Sequence, residues 1–258
     1  ATYRKKEPIT KMEEKRLAVL IDADNISHVY AKTILDEASN FGNVTYKRIY
    51  GDWAKQQLQS WRDVLLENGI RPIQQCNYTS GKNSTDSAMI IDAMDILYTG
   101  RVDGFCLVTS DSDFTGLAAR LREAGMLVVG MGMQHTPSAM VSACNPFKYL
   151  DRISESETAE ETVRPDARPA EKTAKDNGGD FKKLKKLLRE VVTNESDEEG
   201  WMMLSKLGTQ LQKRKSDFDV RNYGYKKMVP FLESLNLFEI KEVQNKHNPG
   251  KILYVRLK

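Results

Sequence analysis

Three short segments gather the side chains best suited to chemistry: Ile21-Asp22-Ala23-Asp24-Asn25, Lys82-Asn83-Ser84-Thr85-Asp86 and Thr109-Ser110-Asp111-Ser112-Asp113-Phe114. Carboxylates crowded together repel one another, and the usual remedy is a hard divalent cation with oxygen ligands, Mg2+ or Mn2+. Such a cluster activates a water and shields the charge of a phosphate, which is what phosphodiester hydrolysis requires. Taken singly, Asp24, Ser84 and Asp113 read equally well as helix N-caps. The case for a site rests on Asp22, Asp86, Asp111 and Asp113 meeting at one edge of a sheet. Other polar residues form no comparable set. His28, His135 and His247 are not paired with a Ser or Cys nucleophile, although His135 falls on the functional edge, and Gly130 and Gly132 do not follow the first strand as a dinucleotide fingerprint would. Cys76, Cys106 and Cys144 lack metal or disulfide spacing and read as small buried hydrophobes.

The acids can meet only if the chain folds as an open parallel sheet. Apolar runs at 17–21, 44–50, 71–75, 105–109 and 127–131 read as strands, and residues 26–40, 54–67, 85–98 and 113–124 carry apolar positions at three- and four-residue spacing, as helices do. Strand and helix alternating four times predict an α/β domain, a parallel sheet with helices on both faces. Gly42, Gly69, Gly100 and Gly125 stand where helices should stop. Ligands of such sheets bind beyond the carboxyl ends of the strands, near the point where strand order reverses. If the first and fourth strands are neighbours, the four acids converge there. Asp92 and Asp95, further along the helix of Asp86, are expected to face away from the pocket.

The chain has 258 residues, 40% hydrophobic and 29% charged, which excludes disorder, collagen and coiled coil as whole-chain readings. Its apolar runs are far shorter than the ~20 residues of a membrane helix, and residues 1–11 carry no hydrophobic segment, so a cytoplasmic location is expected. Charge is uneven: residues 12–150 hold 13 basic and 16 acidic side chains, residues 180–258 hold 17 and 11. Between them, 154–180 has two prolines and almost no large apolar residue, and reads as a flexible linker. The domains are therefore expected at 12–153 and 181–258. The second shows three helical patterns and two strands around the turn-rich 245–250, a small winged-helix-like α+β arrangement of the kind used on nucleic acid.

The three acidic segments, in this order, resemble the motifs of the NYN domain, a LabA-like branch of the PIN-like nuclease superfamily, over about residues 15–150. The resemblance implies a metal-dependent ribonuclease with a parallel sheet, Asp22, Asp86, Asp111 and Asp113 as metal-binding acids, and Asn25 as the polar residue that orients the attacking water or a phosphate. Lys82 and Asn83 would contact a phosphate at the pocket mouth. A rival, the haloacid-dehalogenase type, would use Asp22-x-Asp24 as nucleophile and general acid, but Tyr50-Gly51-Asp52 after the second strand fits it poorly.

Residues 180–258 resemble the OST-HTH domain, also called LOTUS, through Trp201 to Leu211, Asn222-Tyr223-Gly224-Tyr225-Lys226-Lys227 and Phe231-Leu232-Glu233-Ser234-Leu235. Pro230 departs from the pattern, since it falls where a helix expected near 222–235 should continue. The resemblance implies an association with RNA. Lys213, Arg214, Lys215, Arg221, Lys226 and Lys227 are the candidate phosphate contacts, and Tyr223 or Tyr225 a stacking platform for an unpaired base. Such a module also suits a protein partner. The expected whole is a ribonuclease whose basic module recruits RNA, and the alternative is an RNA-binding regulator or adaptor with an inactive or weak pocket. Tyr30, Trp53 and Trp61 read as sheet packing or as a dimer interface.

Overall fold

The computed structural model describes residues 14–75, 84–161, 178–244 and 251–258. Lys82, Asn83, Cys76 and His247 lie outside the described residues. The first domain is a six-stranded, all-parallel sheet in the order β3-β2-β1-β4-β5-β6, built from β1 (Arg16–Asp22), β2 (Asn43–Gly51), β3 (Arg71–Gln74), β4 (Gly104–Val108), β5 (Leu127–Gly132) and β6 (Phe147–Tyr149). The order reverses between β1 and β4, so these two central strands are neighbours and the crevice beyond their carboxyl ends is the place for a ligand.

Alternation along the strands divides the core into two layers. Ala18, Leu20, Phe105 and Leu107 face helices α3 (Ser84–Tyr98), α4 (Thr115–Glu123) and α5 (Ser138–Ala143), while Val19, Ile21, Cys106 and Val108 face α1 (Ala31–Ser39), α2 (Trp61–Asn68) and α6 (Leu150–Glu161). Burial of strand side chains on both faces is why β1 and β4 read as continuous apolar runs rather than alternating ones. Trp61 is buried against the sheet, and the Trp53 indole donates to the Ile73 carbonyl, so both tryptophans serve packing. Gly69, Gly100 and Gly125 adopt the left-handed conformation expected of helix ends. Gly42 differs: a Cβ there would fall on the Lys15 carbonyl, so the need is for close approach.

The second domain packs α7 (Gly178–Glu195), α8 (Leu204–Arg214) and α9 (Met228–Leu235) on a three-stranded antiparallel sheet, β7-β9-β8, made of β7 (Met202–Met203), β8 (Phe238–Gln244) and β9 (Lys251–Leu257). Leu184, Leu188, Leu207, Leu211, Phe231 and Val255 form its core. The helix expected near 222–235 is split into a 3-10 turn, Val220–Tyr223, and α9. Pro230 falls in the first turn of α9, where the backbone N–H groups have no intrahelical partner anyway, so it starts the helix rather than kinking it. Both ends of the expected linker are helical, because α6 runs to Glu161 and α7 begins at Gly178; residues 162–177 lie outside the described residues. No helix among the described residues is long and apolar enough to cross a membrane.

The two domains meet along the edge of the parallel sheet. The Phe147 N–H of β6 donates to the Ser216 carbonyl at 2.9 Å, which covers the exposed edge, and Ser216 Oγ donates to the Val141 carbonyl at 3.0 Å. Around this seam lies a chain of ion pairs. Lys148 Nζ reaches Asp219 Oδ2 at 2.5 Å, and the Arg221 guanidinium grips both oxygens of Glu37 at 2.5 and 3.0 Å while also bonding Asp219. The Lys148 and Glu37 side chains are only 8% and 9% exposed. Burial would raise the Asp219 carboxyl, but its bonds to Arg221 and Lys148 outweigh that and hold it far below the usual carboxylate range. Breaking such a network at one member is costly, because the remaining charges stay buried without a partner.

Candidate metal centre

Asp22 ends β1 and is 1% exposed. Its Oδ2 accepts from Thr109 Oγ1 at 2.9 Å and from Asn25 Nδ2 at 2.7 Å, and its Oδ1 accepts from the Asp24 N–H at 3.1 Å. Burial pushes the Asp22 carboxyl upward, and these donors, Thr109 first, oppose the push. Thr109 is fully buried and does two jobs at once, since its hydroxyl also accepts the Asp111 N–H at 3.1 Å. It thereby ties the end of β1 to the loop after β4. Gly132 helps hold that loop, because a Cβ there would come within 2.6 Å of the Thr109 carbonyl oxygen.

The loop after β4 turns at once into a 3-10 segment, Ser112–Phe114, whose N-cap is Asp111: its Oδ1 accepts the Asp113 N–H at 2.9 Å. Capping thus falls to Asp111, not Asp113. With one oxygen so bound and the backbone fixed, Asp111 and Asp113 face the first turn of α3. There Asp86, Asp111 and Asp113 each offer an oxygen such that all three lie within 4.8 Å of one another. Three of the four acids expected in the metal set are brought together; Asp22 is not among these three, but its charge is near enough to act on Asp86. Asp86 is pushed up to about 6, first by burial and then by the charges of Asp22, Asp111, Asp113 and Asp24. An all-carboxylate set whose mutual repulsion already raises one member fits a hard divalent cation.

Other polar residues lie close to the acids. Asn25 is exposed, and one amide N–H is fixed by Asp22. Asp24 makes an ion pair with Lys55 at 3.1 Å and caps no helix, the N-cap of the following 3-10 turn being Ser27. Helix α3, which carries Asp86, is anchored on β2 by a contact absent from the sequence reading: Asp92 binds both the Arg48 guanidinium and the Tyr50 hydroxyl. Asp92 does face away from the acids, and its role there is to fix the helix. A charge six residues after a site acid, opposite Arg48-Ile-Tyr50 on a buried strand, is the signal that could have revealed it.

The candidate RNA contacts of the second domain divide into two groups. Lys213, Arg214, Lys226 and Lys227 are exposed. Lys215 pairs with Asp217 at 2.7 Å, and Arg221 is held by Glu37 and Asp219 in the interdomain seam rather than facing solvent. Tyr223 packs among Phe181, Phe218 and Phe231, and Tyr225 stands edge-on to Phe231 at 5.5 Å, so both rings belong to the edge of the domain core. His135 is exposed after β5, and His28 stands edge-on to Trp61.

The chain is 26% identical over 147 residues to an uncharacterised protein of Methanocaldococcus jannaschii, an alignment covering 55% of this chain and 57% of the relative, so it spans little more than half that protein's length. Among solved structures, a protein of unknown function from Vibrio parahaemolyticus matches at 18% identity and a TM-score of 0.46, covering 54% of this chain and 94% of that one. An uncharacterised protein of Nitrosomonas europaea matches at 30% identity and a TM-score of 0.29, covering 38% and 92%. The NYN domain family model matches residues 16–151, and the OST-HTH/LOTUS domain family model matches residues 179–249. With the acids gathered at the switch point of a six-stranded parallel sheet and a winged-helix-like module behind it, the chain belongs to the NYN domain family and carries an OST-HTH/LOTUS domain after it.

Proposed function

We propose that the chain is a metal-dependent ribonuclease that hydrolyses RNA phosphodiesters at the pocket of Asp22, Asp86, Asp111 and Asp113, with RNA recruited by the basic second domain. The observation that carries this reading is the convergence of three carboxylate oxygens within 4.8 Å at the crevice between β1 and β4. Mg2+ or Mn2+ held by Asp86, Asp111 and Asp113, with Asp22 beside them, would supply Lewis acidity toward a phosphate oxygen and a nucleophilic water at neutral pH. The chain's own residues do the positioning. Thr109 braces Asp22 against Asp111, the Asp92 anchor fixes α3 and so Asp86, and Asn25 keeps its second amide N–H and its oxygen for a water or a phosphate.

Recruitment follows from charge. An acidic pocket repels a polyanion at long range, whereas a domain with 17 basic against 11 acidic residues attracts it. Lys213, Arg214, Lys226 and Lys227 are the exposed cations on which this attraction rests; Arg221 is withdrawn from the set by its ion pairs with Glu37 and Asp219. The test is incubation of the full chain with single-stranded and structured RNA in EDTA, Mg2+ or Mn2+. Metal-dependent cleavage is the expected result. Binding without cleavage in every metal would replace the enzyme with an RNA-binding regulator or adaptor.

A further inference from the structure

Where the domains meet, a cleft of about 190 Å3 opens between Gln134, Tyr149 and Arg152 on one side and Lys215, Asp217 and Asn222 on the other. At about 30 Å3 per water, this is room for several waters, or for a small polar group with a few of them. Its walls are fixed. Asp217 accepts from the Tyr149 hydroxyl at 3.2 Å and pairs with Lys215 at 2.7 Å, and its backbone carbonyl accepts from Asn222 Nδ2 at 2.8 Å.

Arg152 is the cation most open to the cleft. Its side chain is only 19% exposed, yet among the described residues the guanidinium makes no hydrogen bond, and its nearest charge is an oxygen of the exposed Glu155 at 3.7 Å. Its guanidinium donors are therefore open to the cleft, and their planar fork suits the paired oxygens of a phosphate. Lys215 adds a second cation on the opposite wall, and among the described residues Asp217 is the one carboxylate that lines the cleft. Asp217 is already engaged by Lys215 and Tyr149, which limits its repulsion of an anion.

The cleft also lies on the functional edge of the sheet. Gln134 belongs to the loop after β5, and in that loop the Met133 N–H donates to Ser110 Oγ at 2.8 Å. Ser110 directly precedes Asp111. The loop that begins the cleft wall is therefore bonded to the loop that carries two of the metal-site acids. We propose that this interdomain cleft is a backbone subsite for RNA, in which Arg152 and Lys215 hold a phosphate of the strand that flanks the scissile bond. The inference rests on the ribonuclease reading and gives the docked second domain a structural part in substrate binding, since neither domain alone forms the cleft.

The test uses the full chain in EDTA, where no cleavage intervenes, with a fluorescent single-stranded oligoribonucleotide of about 12 nucleotides and anisotropy measured across a salt series. Arg152→Glu is expected to weaken binding at least ~10-fold and to reduce the salt slope by about 0.7, the value for one lost contact to a single strand. Arg152→Lys keeps the charge and should keep the salt slope, while the loss of the fork should lower affinity less than Arg152→Glu does. Gln134→Glu, at an exposed position that leaves packing intact, should weaken binding in the same direction. Wild-type affinity in both Arg152→Glu and Gln134→Glu, with the parent protein still binding RNA, would overturn the subsite and leave the ribonuclease reading standing. No RNA binding by the parent would remove both. Adenosine monophosphate or inorganic phosphate binding as tightly as the oligonucleotide, in an Arg152-dependent way, would make the cleft a site for a free anion and also overturn the proposal.

Discussion

Thr109→Val tests the internal logic of the acid pocket most sharply, because it removes one hydroxyl while keeping the shape of the side chain. Thr109 is fully buried and is both donor to Asp22 Oδ2 and acceptor for the Asp111 N–H. Without it, a buried carboxylate loses one of its two Oδ2 donors, and the Asp111 amide loses its partner. A hydrogen bond to a charged group contributes about 1.5–3 kcal/mol, so the variant should be less stable by about 2–3 kcal/mol. At roughly 2–4 °C per kcal/mol, Tm in EDTA should fall by about 5–10 °C. Groups that orient metal-binding residues typically change affinity or activity by about 10–100-fold when removed, and RNA cleavage should fall in that range. Thr109→Ser, which retains the hydroxyl, should recover most of both. Calorimetry and cleavage assays on the three proteins suffice. Stability of Thr109→Val within about 0.5 kcal/mol of the parent would refute the bracing role.

Further outcomes follow from the same structure. Asp22→Asn and Asp111→Asn should abolish cleavage while circular dichroism shows an intact fold; full activity with verified metal loading in either would remove that residue from the mechanism. Asp86, raised to about 6 against an ordinary 3.8, keeps its proton longer in the folded chain than in the unfolded one. In the metal-free protein its ionisation therefore destabilises as pH rises through about 4 to 6, and a divalent ion must displace that proton at lower pH. The Mg2+ or Mn2+ increment in Tm should be large at about pH 8 and small at about pH 5, and an increment independent of pH would contradict the assignment. Arg221→Ala leaves Glu37 and Asp219 short of a cation, a change that costs about 3–5 kcal/mol at a buried pair, so the domains should separate, with an increase in the radius of gyration by small-angle scattering. The Asp219 carboxyl is depressed, so its contribution to the seam is present above the unfolded carboxylate range and is lost only at strongly acidic pH. Release of the domains near pH 6 would contradict it.

Much of the acid cluster is legible in the sequence, because each acid follows a strand or opens a helix and the alternation of elements allows few sheet orders. The first five strands are seen within one or two residues of expectation, since runs such as Leu17 to Ile21 are apolar on both faces. Strand β6 and helix α5 escaped because they are three and six residues long and carry too little periodicity. The part of helix α6 beyond Ile153 reads as linker in sequence because it is polar and acidic and carries no apolar stripe. The interdomain seam was hidden for a different reason: Arg221, Lys148 and Glu37 look like surface charges in sequence, and only partners far apart in the chain bury them. One signal was present, since Glu37 falls on the apolar side of α1 between Ile34 and Ala38. Tyr223 and Tyr225 were open to either reading in sequence, and their aromatic neighbours place them at the edge of a core.

Metal binding and cleavage at the acid cluster are best tested in one experiment. Parent protein and Asp111→Asn are titrated with Mn2+ by calorimetry, and the same samples are then given single-stranded RNA. The parent should bind the ion and cleave, and the variant should lose both together. Cleavage that persists in EDTA, or in an Asp111→Asn protein that no longer binds the ion, would contradict this.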